Sequence, residues 1–186
     1  FRPISYDNRV VGLSSRFTNT PSFVLDYIKY FFRLPIKSEY KIDDMADDGI
    51  KLLETLEIKK AHILSTSMGG MIAQIISAMY PEKVKTFTLI ASTASTPSPI
   101  NAPSKAVREI MLERSKNPNA SYDEIIKRDI KMVSLIGMKG RIVDTPEFRK
   151  ETMENLNRSQ DGSGYARQLL SILASKDRLK KINKFK

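Results

Sequence analysis

The 186-residue sequence contains no cysteine and a single histidine, His62. The lack of cysteine excludes disulfides and thiolate metal sites, and one histidine argues against a histidine-based metal centre. No apolar run approaches the roughly 20 residues of a membrane-spanning helix, and no basic segment followed by an apolar stretch opens the chain as a secretory signal would. We therefore expect a cytoplasmic protein without a membrane span, whose chemistry comes from other side chains.

Charge is plentiful but unevenly placed. Lysine and arginine outnumber aspartate and glutamate by 31 to 21, and six of the basic residues lie within residues 176–186. This basic segment does not show the repeated alternation of basic and aromatic residues that binds single-stranded nucleic acid. Net charge alone bears on solubility and encounter rather than on function, so we expect no nucleic-acid partner.

The first half of the chain shows the patterns of an α/β fold. Short apolar runs predict strands, and apolar residues spaced three or four apart predict helices. The predicted elements are a strand over residues 1–6, a short helix over 27–32, a helix capped by Asp43 or Asp44 and ending near Ile58, a strand over 61–64, a helix over 69–80 and a strand over 87–91. Strand, tight turn, buried helix and strand in this order make a parallel crossover unit.

The second half reads as a helical insertion or cap. A segment rich in serine, threonine and proline, residues 92–103, marks a boundary. Four amphipathic helices are predicted after it, over residues 104–116, 121–136, 146–157 and 163–175. The apolar residues Met132, Leu135, Ile136 and Met138 form either a lid over the functional site or the core of the cap itself.

The stretch Ser65-Thr66-Ser67-Met68-Gly69-Gly70 connects the second predicted strand to its helix. Ligands of α/β sheets bind at the carboxyl ends of strands, and a serine on a sharp turn there presents its hydroxyl above the sheet. Ser67 is therefore a candidate nucleophile, and the N–H of Met68 at the helix N-terminus is a candidate donor to an oxyanion. The alternative is that Ser67 is a turn residue that caps the following helix.

These residues resemble the nucleophile elbow, small-x-Ser-x-Gly, of the α/β-hydrolase family of serine hydrolases. Residues 7–14 resemble the family's Asp-x-Arg-x-x-Gly-x-Ser loop, and residues 43–48 resemble the start of the helix before the elbow strand. Residues 164–169 resemble the return from the cap in the branch of aclacinomycin methylesterase-like and proline-iminopeptidase-like enzymes. The resemblance covers essentially the whole chain and implies a partial, mostly parallel α/β-hydrolase sheet with crossover helices and a helical cap.

The resemblance also implies how the chain is divided. Residues 1–96 correspond to the core with the elbow, 97–162 to the cap, and 163–186 to a return helix and a tail toward the C-terminal core. The family's catalytic acid, its histidine and its earlier oxyanion loop have no counterpart here, so we expect a fragment that lacks both ends of the domain. His62 cannot replace the missing base, because five residues of strand place it about 16 Å from Ser67.

The resemblance implies a cofactor-independent serine hydrolase that acts on an ester or related acyl bond of a small, largely apolar substrate. In that case Ser67 is the nucleophile, Met68 supplies the oxyanion N–H, and the base and the acid come from outside this segment, which alone is inactive. The alternative is a non-catalytic or degenerate α/β-hydrolase-fold binding protein. The sequence leaves the substrate and the oligomeric state open.

Overall fold

The computed structural model describes residues 2–17, 23–32, 34–95, 102–117, 120–158, 163–175 and 178–182. In chain order its elements are α1 (Phe23–Phe31), α2 (Ile42–Thr55), β1 (Ala61–Thr66), α3 (Met68–Met79), β2 (Val84–Ile90), α4 (Lys105–Lys116), α5 (Tyr122–Ile136), α6 (Pro146–Arg158), α7 (Ser163–Ala174) and α8 (Leu179–Ile182). They form two compact units. The helical unit comprises Phe1–Tyr27 and Ala102–Gln168, and the sheet unit comprises Ile28–Asn101 and Leu169–Lys186.

The sheet unit contains the predicted crossover. Strands β1 and β2 pair in parallel, with Ser65 opposite Leu89 and Thr66 opposite Ile90. Helix α3 connects them, and a single turn of 3-10 helix that begins at Pro81 leads into β2. The α/β fold class is thereby confirmed, since parallel neighbours joined through a helix are the defining unit of such folds.

Helices α2 and α3 form the core of the sheet unit. The side chains of Met45 and Ile42 on α2 are fully buried, and those of Ile72 and Ile75 on α3 are 3% and 2% exposed. Each fully buried aliphatic side chain of this size contributes about 1.5–3 kcal/mol to folding. The burial of α3 on nearly every side explains why its sequence lacks the polar stripe of a surface helix.

The helical unit has its own small core, to which Ile110 of α4, Ile126 of α5 and Val143 contribute. Helix α5 begins with a capping box, in which the Ser121 hydroxyl accepts the N–H of Glu124 and the Glu124 carboxylate accepts the N–H of Ser121 at 2.7 Å. This reciprocal pairing satisfies two N–H groups that a helix start otherwise leaves without partners.

Three of the apolar cap residues do not pack in that core. Leu135, Ile136 and Met138 are 45%, 65% and 76% exposed. The expectation that they form the core of the cap is therefore wrong for these three side chains, while the lid interpretation stays a prediction.

Two expectations for the first half need correction. Residues 2–6 form no strand in the described part of the chain and are exposed, because a strand exists only where a neighbour completes its hydrogen bonds. Helix α2 is capped by Lys41 rather than by an aspartate, and it ends at Thr55. Asp44 is the third residue of the helix, and its carboxylate accepts the Lys41 N–H at 2.7 Å.

The predicted helices of the second half are present within one or two residues of their expected bounds. The expected division at residues 96, 97, 162 and 163 stays a prediction. Within the described ranges, none of the helices is long and apolar enough to cross a membrane.

Candidate active site

Ser67 lies in the turn between β1 and α3 with an unusual backbone conformation, φ 51° and ψ −121°. A positive φ at a residue with a side chain costs about 1–3 kcal/mol and persists only where the surroundings impose it. Here the Ser67 N–H donates to the carbonyl of Ile90 at 2.9 Å, and the Ser67 carbonyl accepts the N–H groups of Gly70 and Met71 at 3.0 and 3.3 Å. The strand on one side and the helix on the other thus hold the strained turn in place.

The Ser67 side chain is exposed. Its hydroxyl accepts no hydrogen bond from the N–H groups of α3, a helix that lies entirely within the described residues. Ser67 therefore occupies the N-cap position of α3 without using its side chain as a cap, and the alternative that it is a turn residue is narrowed to a role of its backbone. A strained backbone that presents an uncommitted hydroxyl is the arrangement of a nucleophile on a strand-to-helix turn.

Met68 is the first residue of α3. The N–H groups in the first turn of a helix have no acceptor within the helix, and the helix dipole adds a positive potential there. The structure thus brings the Ser67 hydroxyl and the start of α3 together at one point, as the sequence predicts. The combination suits a negatively charged oxygen next to the hydroxyl.

The two glycines after Met68 differ in what they are needed for. A Cβ atom on Gly69 would lie 3.7 Å from the Cβ of Ser65, which is an ordinary contact. A Cβ atom on Gly70 would lie 2.5 Å from the Cβ of Ser92, the second residue after β2. Gly70 therefore allows α3 to approach the segment that contains Ser92. The sequence did not reveal this contact, because the two residues are far apart in the chain.

His62 and Ser65 have structural roles on β1. The Nδ1 of His62 lies 2.8 Å from the hydroxyl of Thr86 on β2, which gives this ring nitrogen a hydrogen-bond partner. The Ser65 hydroxyl donates to the carbonyl of Thr88 at 3.3 Å. Both side chains thus bond across to β2.

The loop of residues 7–14 in the helical unit is braced by its aspartate. The Asp7 carboxylate accepts the N–H of Leu13 at 3.0 Å and two hydrogen bonds from Arg158, at 3.2 and 2.7 Å. Gly12 has φ 57°, and a Cβ there would lie 2.1 Å from the Asp7 carboxyl carbon. Asp7 therefore braces this loop.

A cavity of about 470 Å³ lies in the sheet unit at the start of α2. Its lining includes Tyr40, Asp43, Ile75, Arg178 and Lys181, but neither Ser67 nor Met68. Among the described residues, no three histidine, aspartate or glutamate side chains gather as metal ligands would. The expected absence of a cofactor stays a prediction.

The sequence of this chain matches that of a known protein family. Residues 1–130 match the sequence model of the alpha/beta hydrolase fold. The chain belongs to this family. Its parallel crossover and its strained serine turn are the features that such membership predicts at these positions.

Among the relatives of this α/β-hydrolase chain is the rhodomycin D methylesterase of Streptomyces sp. strain C5, which is 25% identical over 165 residues, covering 81% of this chain and 50% of the relative. A homoserine O-acetyltransferase of Thermus thermophilus is 40% identical over 53 residues, which are 28% of this chain and 14% of that protein. The crystal structure of the enol-lactonase from Burkholderia xenovorans LB400 matches with a TM-score of 0.58 and 18% identity, over 81% of this chain and 53% of that one. The chain spans about half the length of the methylesterases it matches.

Proposed function

We propose that this chain carries the nucleophile of a cofactor-independent serine hydrolase, which cleaves an ester or related acyl bond of a small, largely apolar substrate. The observation that carries the proposal is the positive φ of Ser67 at the β1–α3 turn. Nothing in ordinary helix capping requires this strain, whereas a nucleophile on a strand-to-helix turn does. The Ser67 hydroxyl attacks the carbonyl carbon, and the Met68 N–H donates to the oxyanion that forms.

The proton of Ser67 needs an acceptor. His62 is held by Thr86, and five residues of strand separate it from Ser67 by about 16 Å. We therefore assign the base and the acid that orients it to residues outside these 186. The base takes the proton as the Ser67 oxygen bonds to carbon, gives it to the departing alcohol, and activates the water that releases the acyl group.

The relatives support the class of bond. The proteins matched over most of this chain are named methylesterases, and a methylesterase hydrolyses an ester. One of the relatives matched over a shorter stretch is named an acetyltransferase, an enzyme that passes an acyl group to a substrate other than water. Both reactions can proceed through an acyl-serine, so the proposal covers ester and related acyl bonds.

The proposal is tested by replacing Ser67 with alanine in the full-length protein. We expect Ser67→Ala to lower kcat for a short-chain p-nitrophenyl ester by about 10⁴-fold or more, as loss of a triad nucleophile does. Ser65→Ala is the matched control, since it removes a hydroxyl two residues away that bonds to Thr88, and it should leave kcat within a few-fold. Turnover of Ser67→Ala at the level of Ser65→Ala would contradict the proposal and favour the non-catalytic binding protein.

A further inference from the structure

Arg128 on α5 is buried in an unusual way. The residue is 7% exposed, and its Nε atom is shielded from solvent without an acceptor. The guanidinium forms no hydrogen bond or ion pair with any other residue in the described ranges. The pKa of Arg128 is lowered, mainly because the side chain is buried and secondly because the charge of Arg114 is nearby. A charged group in this position is costly unless something pairs with it.

Arg178 is a second buried arginine, and it differs from Arg128 in donating several hydrogen bonds, although its Nη1 is also buried without a partner among the described residues. It is 2% exposed, and its guanidinium donates to the side chain of Gln74 at 3.2 Å and to the carbonyls of Thr93 and Ser95 at 3.0 and 3.3 Å. Arg178 thereby ties the start of α8 to α3 and to the segment after β2. Arg128 donates no such hydrogen bonds to the described residues, so packing alone does not explain its burial.

The neighbours of Arg128 are a second arginine and a tyrosine. Arg114 of α4 lies over the ring of Tyr165 of α7, with its guanidinium carbon 4.4 Å from the ring centroid. Its ion pair with Asp129 is long, at 3.9 Å. Burial raises the pKa of Tyr165, while the charges of Arg114 and Arg128 lower it. The three side chains therefore interact electrostatically. The neutral Tyr165 hydroxyl can also donate a hydrogen bond.

Two acidic side chains lie near Arg128, but neither forms an ion pair with it among the described residues. The charges of Asp129 and Glu113 reach Arg128, but Asp129 pairs with Arg114 and Glu113 is exposed. Arg114, Arg128 and Tyr165 come from three helices, and the buried Nε of Arg128 has no acceptor among the described residues. A guanidinium fork binds carboxylate and phosphate oxygens in a bidentate manner.

We propose that Arg128, together with Arg114 and Tyr165, binds the oxyanion of a small-molecule ligand, a carboxylate or a phosphate. The oxyanion supplies the acceptor that the buried Nε of Arg128 lacks. The site lies within the helical unit, and it does not depend on the function proposed for Ser67.

The test is thermal unfolding of the full-length protein at constant ionic strength, with chloride replaced stepwise by phosphate or by acetate. We expect a saturable rise in Tm with at least one of the two anions, since a ligand of the folded state stabilises it. A rise with phosphate alone identifies a phosphate site, and a rise with acetate identifies a carboxylate site. No saturable rise with either anion would overturn the proposal.

Arg128→Met and Arg141→Met are a matched pair for this titration. Arg141 is an exposed arginine of the same unit, so its replacement removes the same charge without touching the cluster. We expect Arg128→Met to weaken anion binding by about tenfold or more, which is the effect of losing a charge-assisted hydrogen bond, and Arg141→Met to retain it. Equal anion binding by the two variants would overturn the proposal.

Arg128→Met is also expected to fold, because replacing an unpaired buried charge by an apolar side chain of similar volume removes a desolvation cost. Its Tm in chloride should equal or exceed that of Arg141→Met. If Arg128→Met does not fold, Tyr165→Phe serves as the second variant, because it keeps the ring under Arg114 and removes only the hydroxyl. Isothermal titration with the anion that raised Tm should then show several-fold weaker binding than in Arg141→Met, and unchanged binding would overturn the proposal.

Discussion

At the residue scale, the chemistry proposed for Ser67 depends on its backbone as much as on its hydroxyl. Residue types and spacing predict a serine at a strand-to-helix turn, but they do not specify φ. The value of 51° follows from hydrogen bonds to Ile90, Gly70 and Met71, which form only once β2 and α3 are in place. The strained backbone of Ser67 could therefore be expected only from the resemblance to a family, and not from the local sequence.

The strain itself can be measured with Ser67→Gly. Glycine adopts positive φ readily, so this change should stabilise the protein by about 1 kcal/mol, the relief of strain being partly offset by the greater freedom of glycine in the unfolded chain. Urea unfolding monitored by circular dichroism gives the difference. The same variant should lose ester hydrolysis, an exchange of activity for stability that is common at strained sites.

Ser65→Gly is the control for this prediction. Ser65 lies within β1 and is not among the residues with positive φ. Glycine there should destabilise the protein by about 0.5–1 kcal/mol. Destabilisation of both variants by the same amount would mean that the Ser67 backbone is not strained in the folded protein.

At the scale of elements, the helices and strands with strong local patterns are predictable from the sequence. Helix α3 and strand β1 follow from short-range apolar spacing and from Pro81, which ends the helix. The strand expected over residues 1–6 failed because β-structure depends on a partner strand that local composition does not encode. In the sequence Arg178 belongs to a basic tail, although its guanidinium bonds to carbonyls more than 80 residues away in the chain.

The contact between α3 and the segment after β2 yields a prediction. Gly70→Ala places a methyl group 2.5 Å from the Cβ of Ser92, and we expect it to lower the free energy of unfolding by about 1–3 kcal/mol, the usual effect of overpacking. Gly69→Ala meets only an ordinary contact with Ser65, and we expect no loss and a gain of up to about 1 kcal/mol from helix propensity. Denaturant unfolding of the two variants measures both values.

A double variant distinguishes crowding from other effects. Adding Ser92→Gly to Gly70→Ala removes the side chain that the new methyl group would meet, so most of the lost stability should return. If Gly70→Ala is as stable as Gly69→Ala, or if Ser92→Gly gives no recovery, α3 does not depend on this close approach.

At the scale of the whole molecule, the two-stranded sheet exposes apolar side chains within the described residues. Leu64 on β1 and Ile90 on β2 are 75% and 51% exposed. Parallel strands are normally covered on both faces. This exposure supports the expectation that the sheet is partial.

If Ser67 is an activated nucleophile, a fluorophosphonate probe should form its adduct on this serine in the full-length protein. An unactivated serine hydroxyl does not react with such a probe at a useful rate, whereas one paired with a base does. Mass spectrometry of the digested protein should place one adduct on the peptide that contains Ser67, and prior incubation with an ester substrate should slow its formation. A full-length, folded protein that carries no adduct on Ser67 would contradict the account.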